Sequence, residues 1–125
     1  MTDVMTLLEQ GRLYRESGNP SAAARYLAQA AELEPTSRSV LTELALAHFH
    51  SAALGPAEAV ARRLVDLDPS DAYAHTLLGR ALARQSKHGE AVVHLRLAHA
   101  MLGTTESADA LAAAETQAGR RKGDQ

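Results

Sequence analysis

The segment Ala31-Glu32-Leu33-Glu34-Pro35 returns as Val65-Asp66-Leu67-Asp68-Pro69, with the two prolines 34 residues apart. Working outward from the prolines by equal offsets, small and apolar residues recur in step. Gly11 matches Ala45 and Gly79; Tyr14 matches His48 and Leu82; Ala23 matches Ala57 and Ala91; Ala30 matches Leu64 and Ala98. A third unit carries Gly103 where the proline would fall. A fixed period of this length, found before any other feature, points to a repeat architecture.

Each unit reads as two helices. Leu7, Leu8, Leu13 and Tyr14 fall near helical spacing and stop at Gly18, a C-terminal signal. Asn19-Pro20 restarts a helix, with Asn as N-cap and Pro at the first helical position. In the second unit Thr36 or Ser37 caps a helix carrying Leu41, Leu44 and Phe49, and Gly55-Pro56 opens its partner. In the third, Ser70 caps a helix carrying Leu77, Leu78 and Leu82, Ser86 to Gly89 turn, and Glu90 to Met101 form the partner. Thr104 or Thr105 caps a seventh helix reaching Ala118, and residues 119–125 are expected to be disordered.

Composition agrees. Alanine is the commonest of the 125 residues, leucine the second, and isoleucine is absent, so an all-α chain is expected. Thirteen Lys and Arg against 15 Asp and Glu leave a formal charge of −2, which argues against a dedicated nucleic-acid binder. No apolar run is long enough to cross a membrane. No basic stretch followed by an apolar one opens the chain, and a cytoplasmic location is expected. The absence of cysteine removes disulfides, thiolate metal sites and a Cys nucleophile.

A 34-residue helix–turn–helix period resembles the tetratricopeptide (TPR) repeat. Gly11 and Gly79 resemble its small residue in the first helix, Tyr14 its aromatic, Ala23, Ala57 and Ala91 its small residue early in the second helix, and Pro35 and Pro69 its terminating proline. The resemblance implies a right-handed superhelical solenoid of antiparallel helix pairs. One domain would span residues 2–118, with repeats at about 4–36, 37–70 and 71–103 and a capping helix at about 104–118. Leu7, Leu41 and His75 stand in place of the family's tryptophan. Ala61 stands where a large side chain is usual and Leu64 where alanine is usual, which implies a locally shifted register in unit two.

Six histidines, His48, His50, His75, His88, His94 and His99, raise a metal-binding or catalytic alternative. Their spacing argues against it. His48 and His50 face different sides of a helix, His94 and His99 are five apart, and no HExxH motif occurs. His48 and His75 occupy packing positions of the repeat. No serine lies in a Gly-x-Ser-x-Gly elbow and no glycine-rich phosphate loop is present, so a non-enzyme without metal or cofactor is expected.

In the TPR family the first helices of successive units line a concave groove that holds partner peptides. The offsets carry that role to Arg12, Leu46, Phe49, Tyr73, Arg80 and Arg84. Arg80 and Arg84 form a like-charge pair four residues apart, which suits an anion. Phe49 and Tyr73 are expected to project toward the groove rather than the core. Together they suit a protein or peptide carrying an acidic group and an apolar anchor. The family's lysine–asparagine–arginine carboxylate clamp would fall on Leu8, Arg12, Glu43, Tyr73 and Leu77, where only Arg12 could serve. That excludes a heat-shock co-chaperone of the clamp type. A protein-interaction adaptor, scaffold or small chaperone is the function implied. Self-assembly through the alanine-rich cap and a type III secretion-like chaperone are the alternatives.

Overall fold

A computed structural model describes residues 3–123, with side chains through residue 120. Residue 2 and residues 124–125 of the expected bounds lie outside the described residues. Seven helices follow one another: α1 (Val4–Glu16), α2 (Pro20–Leu33), α3 (Arg38–His50), α4 (Leu54–Leu67), α5 (Ala72–Arg84), α6 (His88–Leu102) and α7 (Thr105–Gly123). No strand occurs among the described residues. Each helix packs on its neighbours in sequence, and α3 also touches α5, so the chain stacks as antiparallel pairs.

The period is kept without slippage. Helices α1, α3 and α5 begin at Val4, Arg38 and Ala72, and α2, α4 and α6 at Pro20, Leu54 and His88, each 34 residues after the last. The shifted register expected for unit two is therefore absent. Position 61 has lost bulk while position 45 has gained it. Gly11 and Gly79 each sit against a leucine, Leu27 and Leu95, and a Cβ at either glycine would fall within 3 Å of that side chain. In unit two the matching residues are Ala45 and Ala61, both buried. The volume has moved across the contact and the backbone has stayed in place.

The turn inside each pair is the same device three times. Asn19 N–H donates to the Tyr14 carbonyl and Gly18 N–H to that of Arg15; Ala53 and Ala52 repeat this onto His48 and Phe49; Lys87 and Ser86 repeat it onto Leu82 and Ala83. This is the Schellman closure, and it needs a left-handed residue. Gly18, Ala52 and Ser86 supply it, with φ of 79°, 62° and 63°. Two of the three are not glycine, so the break before α4 falls at Ala52 and not at Gly55-Pro56, which lie inside the first turn of α4.

Capping follows side-chain strength. Asp3, Asn19 and Ser37 cap α1, α2 and α3 as their side chains accept from Thr6, Ala22 and Val40 N–H. The cap of α5 is Asp71, which accepts from Ala74 N–H, and not Ser70. The Ser70 hydroxyl and amide both donate to Asp68 instead. A carboxylate at the helix start gains from the dipole, which a hydroxyl does not. Burial pushes the Asp71 carboxyl up, but Arg38, bonded to it at 2.8 Å, and the Ala74 N–H together outweigh this and hold it below the ordinary value.

The last helix departs most from expectation. It continues to Gly123, beyond the Ala118 expected as its end and through part of the segment expected to be disordered. Its start is a capping box: Ser107 N–H donates to Thr104 Oγ1 and Thr104 N–H to Ser107 Oγ. His99 of α6 bonds the same Ser107 hydroxyl at 2.7 Å, tying α7 to α6. α7 lies along α6 and stands off α5.

Candidate functional site

That stand-off opens a cleft. Its walls are α5 and α7 and its floor includes Leu95 of α6. Two cavities occupy it and share Arg80, Leu95 and Ala110. One, of about 270 Å³, runs past Phe49, Arg84 and His88 to Ala113 and Ala114. The other, of about 390 Å³, is bounded by Tyr73, Thr76, Leu102, Glu106 and Ser107. The wall that α7 offers to the cleft is made largely of small side chains, Ala110, Ala113 and Ala114.

Arg80 and Arg84 rise from successive turns of α5 on one face. Both guanidinium carbons lie over the Phe49 ring, at 4.8 and 5.0 Å from its centroid. The ring itself is 6% exposed and packs with Ala57, Ala81 and Leu54. Phe49 thus lies beneath the arginines, where the sequence places it facing the groove. Its burial depends on cover from two charged side chains, which apolar periodicity does not register. Among the described residues, neither arginine has a carboxylate within ion-pair distance, whereas Arg15, Arg38, Arg62, Lys87 and Arg96 do. The turn after Arg84 is fixed from unit two, since Gln85 and Lys87 both donate to Glu58.

The other groove residues divide. Tyr73 is half exposed and shares a cavity with Arg80. Leu46 is half-buried against the core, away from both cavities. Arg12 is exposed at a separate hollow of about 190 Å³ with Leu8, Leu27, Ser39 and Glu43. There the Glu43 carboxylate is held by Arg15 at 2.6 Å. Phe49, Tyr73, Arg80 and Arg84 therefore line one cleft, the candidate site, and Arg12 and Leu46 stand apart from it. The Ala110–Gln117 wall of α7 completes that site. Sequence offsets missed it because a capping helix has no counterpart earlier in the chain.

Histidines 75 and 94 make one further polar arrangement. His75 is 4% exposed; its Nε2–H donates to the Pro69 carbonyl at 2.8 Å. That leaves His75 Nδ1 as the acceptor for His94 Nδ1–H, 3.1 Å away, with the rings stacked at 5.3 Å. Burial, then His75 and Arg62, push His94 below the ordinary histidine value, against a smaller pull from Glu90. Burial likewise lowers His48. Among the described residues no three His, Asp or Glu side chains gather as a metal site, and no helix is long and apolar enough to cross a membrane.

The chain belongs to the tetratricopeptide repeat family, whose profile matches residues 8–72 and again 55–100. No curated protein matches. Among solved structures, similarity is strong in fold and low in sequence. The first TPR domain of Spaghetti (RPAP3), solved with the HSP90 peptide SRMEEVD, superposes with a TM-score of 0.85 at 20% identity, over 94% of either chain. A crystal structure of MamA gives 0.84 at 24% identity, over 95% of this chain and 70% of that one. The Sgt2 TPR domain from Aspergillus fumigatus gives 0.84 at 18%, over 95% and 81%. These likenesses establish a TPR solenoid, a fold that serves as a protein-interaction module.

Proposed function

We propose that the protein is a non-enzymatic adaptor, scaffold or small chaperone that takes a partner peptide or helix into the cleft between α5 and α7. Arg80 and Arg84 would receive a carboxylate of the partner, while Tyr73, Leu95 and the alanines of α7 would take an adjoining apolar side chain. One observation carries this reading: two guanidinium groups are held side by side on one aromatic ring, over open cavities, without a carboxylate of their own among the described residues. Two like charges four residues apart repel modestly, and a shared anion converts that cost into two charge-assisted hydrogen bonds. The Spaghetti domain was solved with an acidic peptide. The present chain lacks the clamp's lysine and asparagine residues, so the acidic group would bind further along α5, at Arg80 and Arg84, past the clamp positions Tyr73 and Leu77.

The test is display of random peptides against the full-length chain, with the Arg80→Glu/Arg84→Glu variant as counter-selection. Enriched sequences should pair Asp, Glu or a free C-terminus with an apolar residue, and binding should weaken as salt rises. Equal capture by a well-folded double variant would place recognition elsewhere on the solenoid.

A further inference from the structure

The two ends of the cleft carry opposite charge. Arg80, Arg84 and His88 line the cavity at the C-terminal end of α5. Tyr73 and Glu106 line the cavity at its N-terminal end, and among the described residues Glu106 is the one carboxylate lining either cavity. Tyr73 is 49% exposed. Glu106 is exposed too, and among the described residues it makes no ion pair. Arg80 lines both cavities, yet its guanidinium sits on the Phe49 ring and not on Glu106. Leu95 and Ala110, shared by the two cavities, keep the middle apolar. The dipole of α7 favours an acid in its first turn, but that weak attraction leaves the carboxylate able to bond a cation.

We propose that the occupant of the cleft is an extended peptide of mixed charge, with its acidic group at Arg80 and Arg84 and a Lys or Arg at Tyr73 and Glu106. The proposal rests on the reading of the two arginines as the receptor for an acid, and adds a second determinant at the far end. An aromatic face near a carboxylate suits a basic side chain, whose aliphatic stem packs on the ring while its charged head reaches the acid. The spacing follows from the helix. Tyr73 precedes Arg80 by seven residues and Arg84 by eleven, which is about 10–16 Å along α5. An extended chain covers that length in about three to five residues. The cavities, of about 270 and 390 Å³, hold the side chains of such a strand and not the body of a helix about 10 Å across. The apolar middle takes a residue lying between the acid and the base. A run of acids would meet Glu106 with like charge, so the cleft selects against uniformly acidic peptides.

A displayed library of random linear octapeptides, selected on the full-length chain, tests this. Enriched sequences should carry Asp or Glu about three to five positions from Lys or Arg. On Glu106→Lys the acid should persist and a second acid should replace the base. Glu106→Gln, which spares the start of α7 a positive charge, should keep the acid and lose any preference at the basic position. Both variants should retain the helical signal of wild type. One synthetic peptide from the wild-type pool, with its base changed to glutamate, should bind wild type roughly five- to tenfold more weakly and recover on Glu106→Lys. A pool that keeps the acid but shows no base at that spacing overturns the inference and leaves the arginine site standing, as does a base preference unchanged in both Glu106 variants. A pool without the acid, captured equally by Arg80→Glu/Arg84→Glu, removes the arginine site and this inference with it.

Discussion

Gly79 meets Leu95 so closely that a Cβ on the glycine would lie 2.6 Å from the leucine Cγ and Cδ2. This contact sets how near α5 and α6 approach beneath the cleft. Gly79→Ala would gain about 1 kcal/mol of helix propensity. Overpacking against Leu95 costs about 1–3 kcal/mol, so the variant should be less stable than wild type. Adding Leu95→Ala recreates the alanine pair of unit two. The double variant should then be more stable than the sum of the single changes by about 0.5–3 kcal/mol. Chemical denaturation of the four proteins measures the coupling, and strict additivity would mean that the helices separate freely.

Ala52 holds a left-handed backbone at the position where unit one has Gly18. An L side chain there costs about 1–2 kcal/mol, part of which glycine loses again through its freer unfolded chain. Ala52→Gly should raise stability by about 0.5–1 kcal/mol, and Gly18→Ala should lower it by a similar amount. Thermal melts that move both variants in the same direction would contradict the shared turn geometry.

The sequence makes the period, the helix order and the small buried residues readable because each repeats. Ala23, Ala57 and Ala91 are at most 2% exposed, and Leu78 is buried to 1%. What stayed hidden depends on partners that do not repeat. Ser70 and Asp71 are both good cap residues, and only the Arg38 contact and the Asp68–Ser70 turn separate them. A left-handed alanine leaves no mark in composition. His75 and His94 are 19 residues apart on two helices, so no local spacing reveals their bond. The cleft exists because α7 stands off α5, and small side chains can equally mark close approach.

The His75–His94 pair should make the fold acid-sensitive. Both nitrogens at the contact cannot carry protons, and Arg62 on α4 adds positive charge while Glu90 on α6 partly offsets it. His94 titrates below its unfolded value, so its contribution is present above the ordinary histidine pKa and is lost as pH falls through the folded value. Urea midpoints should therefore drop between about pH 7.5 and about pH 5, and the drop should shrink in His94→Leu. An unchanged pH profile in that variant would assign the acid sensitivity to His48, which burial shifts in the same direction.

The arginines over Phe49 should couple to that ring before any partner arrives. A guanidinium stacked on an aromatic ring while itself open to solvent contributes about 0.5–1 kcal/mol. Arg84 is exposed and lacks a carboxylate partner among the described residues, so Arg84→Ala should cost about that much and no more. In a Phe49→Leu background the core contact with Ala57 and Ala81 is largely kept, and the π face is gone. There the same Arg84→Ala change should cost close to nothing, leaving a coupling of about 0.5–1 kcal/mol. Removing both arginines should cost more than two single changes, because the second loss uncovers a ring that is otherwise 6% exposed. A partner carboxylate that draws the guanidinium groups off the ring would expose it, so binding must supply an apolar group in the same step. Peptides with the acid alone should bind more weakly than those with acid and apolar residue together, and the difference should fade in Phe49→Leu. Calorimetric titration of the two peptide kinds into both proteins checks this, and equal affinity of the acid-only peptide would detach Phe49 from recognition.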